Sequence, residues 1–225
     1  MLTQNTTLQQ IAAQCANAPP HWPEVAERFK STPHAPEAVN TDGKLAGFLS
    51  HIHLRTTLER VCAQYASDVR FNPIHDGAAT QHYQFQYSVN GISVIKEGLL
   101  HSEIEELALI DDRPVVFEVL LMRYEGKSNR RGDNESPLKG KKSIARRGIP
   151  YAMRDERIAE MMAPIKEHFA RDEVGYVLII SSDQIKPKSD VQQHFREQGG
   201  ILIPFYTDRR SYREEVVRMR GRYMM

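Results

Sequence analysis

The sequence predicts an α/β protein with α+β character, in which a central mixed β-sheet is flanked by helices. Three observations support this fold class. Apolar residues recur at helical spacing over roughly the first 68 positions, alternating strands with a hairpin signal follow, and short apolar strands then alternate with helices. An antiparallel meander followed by strand–helix–strand units gives a sheet that contains both strand directions.

The amino-terminal part is expected to be mainly helical. Its longest predicted helix runs from about residue 45 to 66, with apolar side chains at helical spacing, and Asn72–Pro73 separates it from the strands. We therefore divide the chain into a helical segment, residues 1–54, and a core domain, residues 55–225, which ends in a helix.

The predicted meander rests on alternation and on turn residues. A half-buried strand is expected where aromatic and polar residues alternate, and Asn90–Gly91 is a strong signal for a two-residue hairpin. Residues 92–95 form the expected return strand, and residues 99–110 are expected to form one further strand. A turn at 111–113 then leads into an apolar strand, residues 115–122.

The rest of the chain alternates helices and strands. Pro164 lies inside the first of these helices and predicts a kink or a split, while Pro204 indicates either an edge strand or the end of a strand. The predicted elements are a helix at 154–171, a strand at 175–180, a helix at 189–198, a strand at 201–205 and a helix at 212–222.

Glu118 is the most informative residue, because it interrupts the most apolar run of the chain. An ionised carboxylate in a strand buried on both faces is costly unless a metal, a cation or several hydrogen bonds compensate it. An acid-bearing strand, residues 103–110, lies just upstream. Two such strands joined by a tight turn provide the oxygen ligands that a divalent-metal site requires. The alternative is a structural acid paired with Arg113 or Arg123.

Positive charge is concentrated in one segment. The whole chain carries 30 basic and 29 acidic residues, a net charge of +1, but residues 123–147 contain nine basic residues against three acidic ones. Basic side chains interleaved with glycine suit contacts with a phosphate backbone, and a solvated loop is the alternative. The residues expected to contact nucleic acid are Lys127, Arg130, Arg131, Lys139, Arg146 and Arg147.

The composition also limits the environment. Cys15 and Cys62 are the only cysteines and do not form a CxxC motif, so a disulfide framework or a cysteine zinc site is not expected. No apolar stretch approaches membrane-spanning length, and the first residues lack the pattern of a signal peptide. We expect a cytoplasmic protein that does not bind membranes.

The predicted order of elements, together with the acids on two successive strands, resembles the PD-(D/E)XK nuclease superfamily, which has the restriction-endonuclease-like fold. The resemblance covers about residues 55–206, with the amino-terminal helices as an addition. In that family an acid on the second core strand and an acid-X-lysine triplet on the third hold Mg²⁺. The resemblance implies that Glu105 and Glu118 are catalytic metal ligands, with Leu120 where the lysine belongs. Strand register decides between Glu105 and its neighbours Glu103 and Glu106.

The resemblance further implies a Mg²⁺-dependent nuclease, with Mn²⁺ as an alternative ion, that cleaves phosphodiester bonds in DNA and can act as a homodimer. The missing lysine raises the question of a substitute, since the reaction needs a charge at a point in space. Lys141 and Lys142 are the expected substitutes, and Lys139 and Lys96 are further ones. The alternative functions are a non-catalytic nucleic-acid-binding or protein-binding protein on the same fold, or an α/β protein whose acids are structural.

Overall fold

The computed structural model describes residues 2–32, 42–88, 91–120, 153, 155–180, 190–207 and 209–223. The helices within this part of the chain are α1 (Leu2–Asn17), α2 (Trp22–Ser31), α3 (Asp42–Gln64), α4 (Asp155–Phe169), α5 (Asp190–Glu197) and α6 (Arg209–Tyr223). The strands are β1 (Val69–Phe71), β2 (Gln84–Ser88), β3 (Gly91–Lys96), β4 (Leu99–Ile104), β5 (Glu106–Ile110), β6 (Arg113–Leu120), β7 (Gly175–Ile180) and β8 (Ile201–Pro204).

The strands form two sheets, and the larger one is mixed as predicted. Its order is β1-β5-β6-β7-β8, with β5 antiparallel to β1 and β6, and with β6, β7 and β8 parallel to one another. The smaller sheet is antiparallel, in the order β2-β3-β4. The predicted α/β class with flanking helices is confirmed. The apolar strand that contains Glu118 is the central strand of the larger sheet.

One strand prediction is wrong in an informative way. Residues 99–110 do not form a single strand, because the chain bends at Glu105. β4 pairs with β3 in the smaller sheet, whereas β5 pairs with β1 and β6 in the larger one. The residues on both sides of Glu105 favour strand, and no Gly or Pro marks a turn there, so local pattern alone did not indicate the bend. The bend carries the chain from one sheet to the other.

The larger sheet separates two apolar cores. Val115, Phe117 and Val119 of β6 face a core built with α1, α2, α3 and α6. Val116, on the opposite face of β6, belongs to a second core with α4, α5 and the smaller sheet. This alternation is the ordinary consequence of successive side chains pointing to opposite faces of a strand. The face that a β6 residue occupies therefore decides which helices it contacts.

Three further predictions concern individual elements. The split at Pro164 is wrong: α4 is one helix, and burial of Met161, Pro164 and Ile165 against the second core offsets the lost backbone hydrogen bond. Pro204 does lie on an edge strand, β8. Helix α3 runs continuously through positions 54 and 55, while the division into two parts at that point stays a prediction. In the described part of the chain, no helix is long and apolar enough to cross a membrane.

Candidate active site

Glu118 lies on β6 within the larger sheet, paired in register with Leu178 of β7. By alternation its side chain shares the face of Val116, toward α4. Its neighbours on that face include Tyr176 and Leu178, both buried in the second core. The side chain is only 13 % exposed, so the carboxyl group is largely removed from water.

The bend between β4 and β5 brings a second acid to Glu118. Glu106 pairs with Phe117, so the preceding residue, Glu105, lies across from Glu118. The Val119 amide donates a hydrogen bond to Glu105 Oε2, with a distance of 2.6 Å. This bond attaches the Glu105 carboxylate to the backbone of the strand that carries Glu118. The two residues form what we call the acid pair.

The other two acids of this stretch lie elsewhere. Glu103 is exposed on β4, where it pairs with Ser93 of the smaller sheet. Glu106 points to the opposite face of the larger sheet and forms an ion pair with Arg55 of α3. The register therefore selects Glu105 as the partner of Glu118, which is the position that the family resemblance implied.

Burial and mutual repulsion shift both carboxyl groups toward their protonated forms. Burial and the negative charge of Glu105 together raise the pKa of Glu118 to about 8, while the Arg157 guanidinium opposes the shift. Burial likewise raises the pKa of Glu105 to about 7, against the Val119 hydrogen bond and Arg157. Two neighbouring carboxylates favour either a shared proton or a cation between them.

Arg157 supplies the positive charge of the site. Its Nη2 atom lies 3.9 Å from Glu118 Oε1 and donates a 2.8 Å hydrogen bond to the Glu103 carbonyl oxygen. It begins the apolar stripe of α4, since Met161 follows four residues later. A cation on the apolar stripe of a helix was the signal available in the sequence, and the sequence analysis missed it. Arg157 takes the place that we had expected Arg113 or Arg123 to fill.

The two expected arginine partners have different outcomes. Arg113 lies near the start of β6, at the opposite end from Glu118, and its Nη2 atom is 3.7 Å from Glu173 Oε2. The prediction that Arg113 pairs with Glu118 is therefore wrong. Arg123 lies outside the described residues.

One oxygen of the acid pair has no hydrogen-bond partner. Glu118 Oε1 is buried and accepts no hydrogen bond from the residues that the structure describes. The distance of 3.9 Å to Arg157 is too long for a hydrogen bond. A buried carboxylate oxygen of this kind is a ready ligand for a hard cation. No group of three or more His, Cys, Asp or Glu side chains suited to a metal occurs among the described residues.

His51 approaches the acid pair from α3. Its Nε2 atom lies 4.0 Å from Glu105 Oε2, and a ring nitrogen hydrogen-bonds the Glu105 backbone. Burial lowers the pKa of His51 to about 4, and the charge of Arg55 lowers it as well. His51 is therefore neutral near pH 7. Its sequence context does not mark it, because His51 and His53 are two residues apart on a helix and do not share a face.

The expected lysine substitutes and the expected phosphate contacts are not part of the described site. Lys96 is described, and its Nζ atom lies 5.8 Å from the centre of the Tyr83 ring. In sequence, the basic segment begins directly after β6, the strand of Glu118. The other predicted site residues lie outside the described ranges: Lys127, Arg130, Arg131, Lys139, Lys141, Lys142, Arg146 and Arg147.

Comparison with known proteins adds no further assignment. No protein-family model, no curated protein and no solved structure matches the chain. The functional argument consequently depends on the geometry and chemistry of the acid pair, and on the family resemblance of the motif.

Proposed function

We propose that this protein is a divalent-metal-dependent nuclease that hydrolyses phosphodiester bonds in DNA, with Mg²⁺ or Mn²⁺ held by Glu105 and Glu118. The observation that carries the proposal is the buried Oε1 atom of Glu118, which lies beside a second acid and accepts no hydrogen bond from the described residues. A structural acid in such surroundings is normally satisfied by hydrogen bonds. An oxygen left without a donor suits a site that completes its interactions with a cation.

The residues of the site fit the chemistry that such an ion supplies. A bound Mg²⁺ activates water as a nucleophile and stabilises charge on phosphoryl oxygens. Glu118 and Glu105 offer carboxylate oxygens, the ligand type that hard cations prefer. The Val119 amide fixes the orientation of the Glu105 carboxylate, so little reorganisation is needed when a cation binds.

Arg157 takes over part of the role of the missing lysine in this proposal. Its guanidinium group is held close to Glu118 by a hydrogen bond to the Glu103 carbonyl oxygen. A fixed positive charge there stabilises negative charge that develops on a phosphate in the site. Arginine stays protonated in proteins and cannot act as a base. Its role in this proposal is therefore electrostatic.

The substrate assignment comes from the resemblance and from charge. The basic segment, residues 123–147, follows directly on the strand of Glu118, and its Lys and Arg side chains suit contacts with phosphate groups. Such contacts position a nucleic acid without reading its bases. Cleavage of both strands of a duplex would require a second copy of the chain, and we include a homodimer in the proposal.

Calorimetric titration with Mn²⁺ and Mg²⁺ tests the metal site. We expect one ion to bind wild-type protein and binding to be lost in Glu118→Gln, which keeps the size of the side chain. Glu214→Gln is the matched control, since Glu214 is exposed on α6, on the other face of the larger sheet. Cleavage of labelled single-stranded and double-stranded DNA is then measured for the same three proteins. Metal binding that is equal in wild type and Glu118→Gln would end the proposal.

A non-catalytic nucleic-acid-binding protein on the same fold is the second candidate. The specific observation in its favour is Leu120, which stands two residues after Glu118 where the family has its lysine. Under this candidate, DNA binds with an affinity that falls steeply with salt, while no cleavage occurs with either ion. Retained DNA affinity in Glu118→Gln, together with the absence of cleavage by wild type, would favour it.

A further inference from the structure

A small cavity lies directly beside the acid pair, between α3 and the β2–β3 hairpin. Its volume is about 160 Å³. Glu105 belongs to the wall of this cavity and also to the acid pair. A group that enters the cavity therefore lies next to the position at which the acid pair would meet a phosphate.

The lining combines flat apolar surface with a few polar groups. Phe48 and Tyr87 supply aromatic surface, and Phe48 is held by an edge-on contact with Phe29 at 5.6 Å between ring centres. His51 and Asn72 supply hydrogen-bonding groups in the same wall. Ligand sites typically combine such apolar walls with a small number of placed polar groups. The lining thus fits a planar ligand with polar edges.

The charges of the lining argue against an anionic ligand. The Arg55 guanidinium already pairs with Glu106 and donates a 3.0 Å hydrogen bond to Asn72 Oδ1. The same lining contains the carboxyl groups of Glu105 and Glu106, so it offers no excess of positive charge to a phosphate. A neutral ligand is therefore favoured over a phosphate or a carboxylate.

The volume limits the ligand to a single ring system. Pockets that hold drug-sized ligands measure roughly 300–1,000 Å³, well above the value of about 160 Å³ found here. A nucleobase is planar, neutral, polar at its edges and able to stack on aromatic side chains. A complete nucleotide adds a sugar and a charged phosphate, which suit neither the size nor the charge of the cavity.

We propose that this cavity receives one base of the nucleic-acid strand whose backbone lies at the acid pair. The proposal depends on the proposed function for the identity of that strand, and it adds a base-binding site that the metal chemistry does not require. Phe48 and Tyr87 contact the face of the base, while Asn72 and His51 contact its edge. The base adjacent to the scissile phosphate is thereby held out of the stack.

Saturation-transfer NMR on the full chain, without metal and with the four deoxynucleosides, tests the cavity. We expect at least one deoxynucleoside to bind saturably, with more saturation at base protons than at sugar protons, while ribose 5-phosphate gives no signal. Tyr87→Leu should weaken this binding by about tenfold, because a stacking surface is lost. Tyr65→Leu is the matched control, since Tyr65 is 39 % exposed and does not line the cavity.

A second variant tests the cavity independently if Tyr87→Leu does not fold. Asn72 is exposed and has a φ of 50°, which glycine adopts without strain, so Asn72→Gly removes the amide while keeping the backbone. We expect about tenfold weaker nucleoside binding and a small change in the unfolding temperature. Nucleoside binding that is unchanged in both variants, or absent in wild type, overturns the proposal.

Competition with oligonucleotides identifies the source of the base. A short single-stranded DNA should displace the bound deoxynucleoside, whereas a strand of equal length made of abasic sites should need at least about tenfold more. Equal displacement by the two strands, or no displacement by either, overturns the proposal. These measurements use no metal, so they are independent of the metal titration. Nucleoside binding without metal binding would support the base-binding cavity and contradict the proposed nuclease. Metal binding without nucleoside binding would support the metal site and contradict the base-binding cavity.

Discussion

Glu105 accepts a hydrogen bond from the Val119 amide, with 2.6 Å between Oε2 and N. Val119 follows Glu118 directly, so the bond fastens one acid of the pair to the backbone of the strand that carries the other. It forms where the chain leaves the smaller sheet, because Glu105 lies between β4 and β5 and belongs to neither strand. A strand that continued straight through position 105 would remain in one sheet.

The stability of the metal-free protein should decrease as the pH rises from about 7 to about 8. In the folded protein the pKa is about 8 for Glu118 and about 7 for Glu105, above the value of 4.5 for an unperturbed glutamate. Within this window these two groups bind fewer protons in the unfolded chain than in the folded chain, so the free energy of unfolding falls with rising pH. Urea unfolding followed by circular dichroism at several pH values measures the slope.

Glu118→Gln provides the control for this pH dependence. The amide resembles the protonated acid, so the variant should lose much of the slope and gain about 1–2 kcal/mol over wild type near pH 8. Glu214→Gln, on the exposed surface of α6, should keep the wild-type slope. Identical slopes for wild type and Glu118→Gln would contradict the assignment of a raised pKa to Glu118.

Protons and metal ions should compete for the acid pair. If Glu105 and Glu118 hold the ion, both must be ionised, so Mn²⁺ affinity should increase by about tenfold per pH unit between about pH 7 and 8, where one proton is released, and by up to about a hundredfold per unit below about pH 7, where two are released. Titration calorimetry in buffers of different ionisation enthalpy measures the protons that are released on binding. Affinity that does not depend on pH, with no proton release, would show that the ion binds elsewhere.

The buried ion pair between Arg55 and Glu106 should contribute strongly to stability. Glu106 is 1 % exposed, and Arg55 also lies over the Phe71 ring at 5.6 Å. Arg55→Leu leaves a buried carboxylate without its cation, and we expect a loss of about 3 kcal/mol in the free energy of unfolding. Chemical denaturation at neutral pH measures it.

The matched control for that variant is Arg70→Leu. Arg70 pairs with Asp112, but both side chains are more than half exposed. Its loss should cost less than about 1 kcal/mol, because exposed ion pairs contribute little. A similar cost for Arg55→Leu and Arg70→Leu would mean that Glu106 finds another partner or accepts a proton without penalty.

Replacement of two glycines by alanine should change the free energy of unfolding in opposite directions. A Cβ atom at Gly200 would lie 2.6 Å from the Phe195 ring, which is fully buried in the second core, so Gly200→Ala should cost about 1–3 kcal/mol. Gly221 lies in α6, and no atom lies within 4 Å of the carbon that alanine would add. Gly221→Ala should therefore raise the free energy of unfolding by about 0.5–1 kcal/mol, because glycine loses more conformational entropy in a helix than alanine does. Thermal unfolding of the two variants measures the difference. The same sign for both would show that α5 and β8 adjust around position 200.

The sequence alone determined the fold class and the most unusual residue. Apolar periodicity, turn residues and prolines act over a few neighbouring positions, so they predicted the helical amino-terminal part, the hairpin and the edge position of β8. The charge of Glu118 within an apolar run likewise marked a buried acid before any contact was known. These features needed only local information, because secondary structure and burial follow from short-range pattern.

Only the tertiary structure decided how that acid is surrounded. The break at Glu105 arises because β4 and β5 pair with strands of different sheets, and the local sequence does not show these pairings. Arg157 reaches Glu118 from a helix that follows much later in the chain. The cavity beside Glu105 likewise forms where α3 meets the hairpin. Each of these contacts joins residues far apart in sequence. Packing and strand register decide which side chains meet at such contacts, and local sequence does not specify either.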